Sequence, residues 1–519
     1  MKHEAWKIVF ASLVLLTTAD VRGADWYAAP GGQPVAAGTR ADPLELATVI
    51  GPQSPARAGD TIYLRGGTYG GQLYSLLEGA EEQPITVRPV PGERVTIDAA
   101  AGLGAGLVIG GKWTVWRDVE VTSSHPNRQT EERGRYPGAY RRSDGIVLRG
   151  SRLLVAGCIV HDCRSGIVCW SDSRDVEISG CVVYNNGWQD PLVGHGDGIR
   201  SQGEEGVKRL VDNVIFNQFG YGVYLYTILS RVRSCEVEGN VSFNNGCLSR
   251  DGLRAANFYI GSSERPVREV VFTGNHAWHE ALTATTCQLG VGLGSGEMVC
   301  TDNTFGGLTR VMGWQRLTMS GNTFVGAATT MELHLPRTTS ALEYAWKGNR
   351  YFHGPSDWSP FAVYSPSAGG GLTFDGWRRQ TGYDAESAFT TGRPAGPRVV
   401  VRPDRHISGR AVIVVYNWPR QDEVEVSLEG VVVEGAAYRI LNAQDPLGEP
   451  VARGTYDGRP IRLKTAGRQG PLAVGGSPRP PPVTGPLFNV FLVREEPPAP
   501  LPEPVEVEAG ATTAPGAEH

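Results

Sequence analysis

The stretch HGDGIRSQGEEGVKRLVDNVIFNQFGYGVYLYT, residues 195–227, gathers an imidazole, an ammonium, a guanidinium and several phenols within a few turns of chain. Such groups suit removal of a proton beside a carboxylate. β-Elimination of a uronate needs a base for that proton, an acid for the leaving oxygen, and positive charge on the carboxylate. His195 or Lys208 fits the base, Tyr224 or Tyr226 the acid, and Arg200 the neutralising charge. Asp197 opens a second chemistry, in which it pairs with Asp144 as the two carboxylates of a glycoside hydrolase. If the two stand two repeats apart, their separation is roughly 9–10 Å, the upper end for an inverting pair. An Asp before Gly also commonly caps a turn. Glu204 and Glu205 are candidate calcium ligands, although adjacent acids in GEEGVK equally suit an exposed turn, and no firm metal set is assigned.

The elements that must position these groups follow from a repeat. RDVEISGCVVYNN (174–186), RLVDNVIFNQ (209–218), RSCEVEGNVSFNN (233–245), REVVFTGNHAWHE (268–280) and RLTMSGNTFVG (316–326) each join two short β-rich runs through Gly-Cys, Asp-Asn or Gly-Asn. Cys158, Cys181, Asn213, Asn240, Asn275, Asn303, Asn322 and Asn349 mark the series, every 19 to 35 residues. SDGIVLRG, RSGIVCWS, GDGIRSQG and GYGVYLYT form a second series between them. Two or three strands per repeat predict an all-β, right-handed parallel β-helix whose coils stack roughly 4.8 Å apart. Asn suits the left-handed residue of a tight turn and can bond to its equivalents above and below. A propeller needs longer repeats of four strands. His161 aligns with Tyr184, Phe216 and Phe243 as a stacked row, and Cys158 with Cys181 within reach of a disulfide or as paired free thiols.

The segment 25–69 also resembles the N-terminal coil and cap of secreted right-handed β-helix proteins of the pectate-lyase-like superfamily, in the alginate-lyase and chondroitinase B branch. WYAAPGG, ADPLELATVI and AGDTIYLRGGTY carry the resemblance, which extends over residues 25–350. It implies the fold and a polysaccharide partner. The superfamily includes lyases, hydrolases, epimerases and binding proteins, so it does not select one activity.

Alternation along the coil strands sets the outward face. With Ile146, Ile167, Ile199 and Val223 inward, Val147, Val168, Arg200 and Tyr224 form one outward row, and Arg149, Trp170, Gln202 and Tyr226 the next; Tyr259 extends it. Aromatic faces beside guanidinium and amide groups suit a sugar chain. Two insertions flank this face, 123–143 and 186–196. The first is locally basic, and its Arg141 and Arg142 suit an acidic polysaccharide.

The remaining sequence bounds the whole. A net charge of −5 offers no basic footprint for nucleic acid. Lys2 and Lys7 before the apolar run Ile8–Leu16 read as a signal peptide over 1–24, hence a secreted or periplasmic protein, and no later run is long enough for a membrane span. The β-helix is expected over 25–350, a cap and linker over 351–396, a β-sandwich-like domain over 397–495, and a disordered Pro-rich tail over 496–519. A polysaccharide lyase is the leading expectation; a hydrolase using Asp144 and Asp197, or a non-catalytic carbohydrate-binding or surface protein, are the alternatives.

Overall fold

The computed structural model describes residues 23–496, apart from 101–103, 135, 136, 139, 141, 227–229, 253, 254, 293, 336–341 and 366–368. Residues 1–22 of the segment expected to be a signal peptide, Arg141 and the residues beyond Glu496 therefore lie outside the described residues. Two compact units are present: 23–393 with Gly470–Pro482, and 394–469 with 483–496.

The first unit is a three-sided parallel β-helix. Sheet I runs from Asp25–Gln33 to Glu343–Lys347, sheet II from Gly67–Gly70 to Ala388–Thr391, and sheet III from Leu73–Ser75 to Gly369–Leu372, with twelve strands each. Neighbouring strands are parallel, except that Gly369–Leu372 closes sheet III antiparallel to Phe361–Tyr364. Many strands are only three residues long, such as Ile167–Cys169 and Ile199–Ser201. They persist because each coil buries one aliphatic row in the lumen; Ile146, Ile167, Ile199 and Val223 are fully buried and in register. Each such side chain contributes about 1.5–3 kcal/mol. A short helix, Leu46–Ile50, lays Leu46, Val49 and Ile50 over the first coils.

The turn from sheet I to sheet II carries the Asn ladder. The side-chain amide of Asn213 donates to Asn240 Oδ1 (2.9 Å), and the pattern repeats through Asn275, Asn303 and Asn322 to Asn349. The left-handed residue is the one before each rung: Gly180, Asp212, Gly239, Gly274, Asp302, Gly321 and Gly348 all have φ between 52° and 69°. The expectation that Asn itself takes that conformation is corrected by this. The Gly or Asp supplies the backbone turn, which frees the Asn side chain to bridge coils. Asn349 passes the ladder to Asp384, which also accepts from Tyr351, Trp377 and Ser387. Asp384 follows the helix Phe374–Thr381, and within the segment expected to be a cap and linker Ala388–Thr391 adds the last strand of sheet II.

His161, Tyr184, Phe216 and Phe243 stack at 4.7–5.1 Å on sheet II. Cys158 and Cys181 occupy adjacent coils as aligned, and all eight cysteines are buried in the thiol form. The second unit is an antiparallel five-stranded sheet, Arg398–Pro403, Arg410–Tyr416, Phe488–Glu495, Ala437–Asn442 and Ala452–Thr455 in that order, with a two-stranded sheet of Glu423–Val426 and Ile461–Lys464. Its own core includes Ile413, Val415, Val424, Leu463 and Phe491. Among the described residues no helix is long and apolar enough to cross a membrane.

Candidate functional site

The turns from sheet II to sheet III are the long ones. The insertion after Asn186 folds into a small antiparallel hairpin, Trp188–Gln189 against Gly194–His195, closed by Asp190 and Pro191. Asp190 Oδ1 accepts the N–H groups of Leu192 and Val193, both at 2.7 Å, which shapes the turn. Its Oδ2 accepts Gly134 N–H at 3.1 Å and meets His195 Nε2 at 2.9 Å. Burial would raise the Asp190 pKa, but these hydrogen bonds outweigh it and hold the carboxyl well below the usual range. An ionised carboxylate can only accept, so it selects the tautomer with the proton on Nε2. Nδ1 is then the ring nitrogen left to take up a proton. Trp188 stacks on the imidazole at 4.9 Å and Tyr140 on Trp188 at 4.9 Å, so the ring plane is set as well.

His195 forms one wall of a cleft of about 320 Å³, lined also by Val193, Asp197, Phe219, Tyr221, Tyr224 and Asp251. Asp251 Oδ1 accepts Gly194 N–H (3.1 Å). Tyr224 stands in register with Arg200 on sheet III, and Arg200 lies between the rings of Trp170 (5.9 Å) and Tyr224 (5.6 Å). Arg149 covers Trp170 at 5.6 Å and pairs with Asp172. Tyr221, Tyr224, Tyr226 and Tyr259 form a continuous cluster, with ring centroids 4.6–5.8 Å apart. Tyr226 bonds to Ser263, and burial raises the Tyr259 phenol. Gln202 is buried and directly follows the strand that carries Arg200.

The structure thus brings together His195, Asp197 and Tyr224, with Arg200, Trp170 and Arg149 along the adjoining face and Tyr226 and Tyr259 beside them. Others it separates. Lys208 lies on sheet I in the row of Val176 and Cys235, nearly fully buried, with Nζ on the carbonyl of Glu205; burial pulls its ammonium below the usual lysine range. Placing it as a base is corrected, because its side chain belongs to the inward row. Arg142 is also interior. Its guanidinium donates to the carbonyls of Ser123, His125, Asn127, Asp162 and Val474, which corrects its reading as a substrate ligand. Arg128 from the same basic loop is turned inward too, against Asp162.

Asp144 and Asp197 do stand two coils apart, but Arg164 grips both Asp144 oxygens, at 3.0 and 2.6 Å. The Asp144–Asp197 pair is corrected on that ground. Glu204 turns to Arg231 and Glu205 to Arg174, so this pair does not fit calcium; among the described residues no three His, Cys, Asp or Glu side chains are grouped to hold a metal ion. Sequence reasoning missed Asp190, Trp188, Tyr221 and Asp251. The signal for the first was an acid five residues before the histidine across an Asp-Pro turn.

Residues 142–332, the coils that carry most of this face, match the family described as "Right handed beta helix region". The chain is a right-handed parallel β-helix protein with a β-sandwich-like C-terminal unit. No curated protein matches it in sequence. Among solved structures it is similar to pectate lyase Pel9A (15% identity, 66% of this chain and 76% of that one, TM-score 0.38). It is also similar to XylC in complex with xylose (12%, 90% and 100%, 0.45) and to the GH136 lacto-N-biosidase from Eubacterium ramulus (10%, 72% and 68%, 0.42). At these identities the likeness is one of fold.

Proposed function

We propose that this protein is an exported enzyme that cleaves a uronate-containing polysaccharide by β-elimination. The observation that carries the reading is the Asp190–His195 pair on the wall of a cleft that Tyr224 also lines, with Arg200 on the next strand. His195 Nδ1 takes the proton from the carbon next to the carboxylate. The electron pair left behind forms the C=C bond as the glycosidic C–O bond breaks, and the leaving oxygen takes a proton from the Tyr224 phenol. Arg200 offsets the charge that builds on the carboxylate. Proton exchange with water then restores His195 and Tyr224. The stacked Trp170 and tyrosines supply faces for the sugar rings. The basic, apolar leader supports export.

A second reading has one observation in its favour: Asp197 and Asp251 both line the cleft and are two carboxylates of the kind hydrolysis needs. The test is incubation with alginate, pectate and glycosaminoglycans. Ultraviolet absorbance of a new C=C bond, reduced about 10²–10⁴-fold in His195→Ala and strongly in Tyr224→Phe, is the expected result. New reducing ends without absorbance, lost in Asp197→Asn, would replace elimination by hydrolysis. Retained binding without cleavage would overturn both.

A further inference from the structure

Gly470–Pro482 leaves the chain of the second unit and packs as part of the first. It is held by four buried polar residues, Arg128, Arg142, Asp162 and Asn185, and by one exposed bond at Arg479. Arg128 Nε donates to the Val474 carbonyl at 2.8 Å, and Arg142 Nη2 reaches the same oxygen at 3.3 Å. Val474 N–H donates to Asp162 Oδ1 (2.8 Å), Asn185 Nδ2 to Pro471 O (2.9 Å), and Arg479 to Arg250 O (3.1 Å). Burying two guanidiniums costs free energy unless each is fully paired, so this much bonding to one loop calls for a role.

The contacts lead to the cleft. Ala473 packs in a buried cluster with Phe219, Cys247 and Leu248, and the Arg128 guanidinium covers the Phe219 ring at 5.0 Å. Phe219 lines the cleft and lies directly under the hairpin. A Cβ at Gly187 would come within 2.6 Å of Phe219 Cβ, and one at Gly194 within 2.3 Å of Phe219 O. The hairpin's other supports meet the same loop. Gln189 N–H donates to Arg128 O, and Gln189 Oε1 accepts Arg250 N–H, while Arg128 and Arg250 both bond the strap.

We propose that Gly470–Pro482 is a positioning strap for His195: it clamps Phe219, Arg128 and Arg250, the supports on which the Trp188–His195 hairpin rests. The strap acts through these residues and touches no reacting atom. The effect on catalysis rests on the β-elimination reading, whereas the effect on the hairpin does not.

The experiment is hydrogen–deuterium exchange and kinetics on the full chain carrying Ala473→Glu, with Leu472→Glu as control because Leu472 is 72% exposed on the same loop. Asn185→Gly is the milder variant, since it removes the Pro471 bond while suiting the left-handed φ of 53° at that position. Exchange at Val193–Gly196 and at Phe219 is expected to rise at least tenfold in Ala473→Glu and severalfold in Asn185→Gly, while the Asn-ladder coils are unchanged. The turnover number falls at least tenfold, KM changes less than threefold, and Ala473→Gly retains activity. Unchanged exchange in the hairpin, acceleration spread evenly through the coils, or an equal effect of Leu472→Glu would each overturn the proposal. Local acceleration in a protein that cleaves none of the polysaccharides would uphold the strap and reject the elimination reading.

Discussion

Raising the pH from 6 to 8.5 should remove about 2 kcal/mol of stability through one residue, His161. Its Nε2 lies 3.0 Å from Glu120 Oε1 and its Nδ1 2.8 Å from Asp162 Oδ2. Arg94 pairs with the same Glu120 and Arg128 with the same Asp162, so a protonated His161 completes an alternating chain of five charges. Burial alone would lower its pKa; the hydrogen bonds to Asp162 and Glu120 outweigh that and raise it from 6.5 to about 8. A raised histidine pKa contributes stability that is fully present below 6.5 and is lost as the pH rises through 8. A gap of 1.5 units corresponds to about 2 kcal/mol. The assay is urea unfolding at half-unit steps from pH 6 to 8.5, for the wild type and for His161→Phe. Phe keeps the stack with Tyr184, as Phe216 does on its other face, and removes only the titrating group. Subtracting the two profiles also removes the buried cysteines, whose raised pKa values erode stability in the same direction above pH 9. Burial lowers the pKa of His279 and His353, which therefore add stability over the lower half of the same window, so the difference between the two profiles is the readout; a difference that stays flat from pH 6 to 8.5 would refute the reasoning.

Three further outcomes follow from the site and the coil. Asp190→Asn should reduce the rate of product absorbance by about 10²–10⁴-fold with KM nearly unchanged, because an amide no longer selects the Nε2–H tautomer; long-range nitrogen NMR of His195 that shows the Nε2–H form persisting would count against it. Arg200→Ala should lower kcat/KM about 10–100-fold, with Arg200→Lys recovering little, since only a planar guanidinium stacks between Trp170 and Tyr224; steady-state kinetics within twofold of wild type would contradict this. Asn275→Ala removes donors to Val237 O and Asn303 and acceptors for Asn240, and should cost about 2–4 kcal/mol by urea unfolding, with faster exchange confined to the adjoining coils.

The coil was legible because its information is local. Alternation along Ile199–Ser201 and Val223–Leu225 names the inward row, and Gly-Asn or Asp-Asn names the turn, since both depend on residues a few positions apart. The stacked row from His161 to Phe243 and the outward series of Arg200 and Tyr224 followed from alignment alone. Lys208 was misplaced for an equally physical reason: an ammonium in an inward row contradicts the usual exposure of lysine, and only its carbonyl partner at Glu205 shows where its charge is met.

What the sequence by itself determined is the repeat, the β-helix class, the ladder and the outward face that carries Arg200 and Tyr224. Tertiary structure alone decided which charges meet. Asp190 is identified as the partner of His195 only once the hairpin closes and Gly134 arrives from another loop. The basic loop becomes a clamp because Val474 lies 346 positions from Arg128 and Pro471 lies 286 from Asn185. Contacts at that separation leave no periodic trace, because the energy that creates them comes from burying and pairing polar groups, not from any rule linking neighbours along the chain.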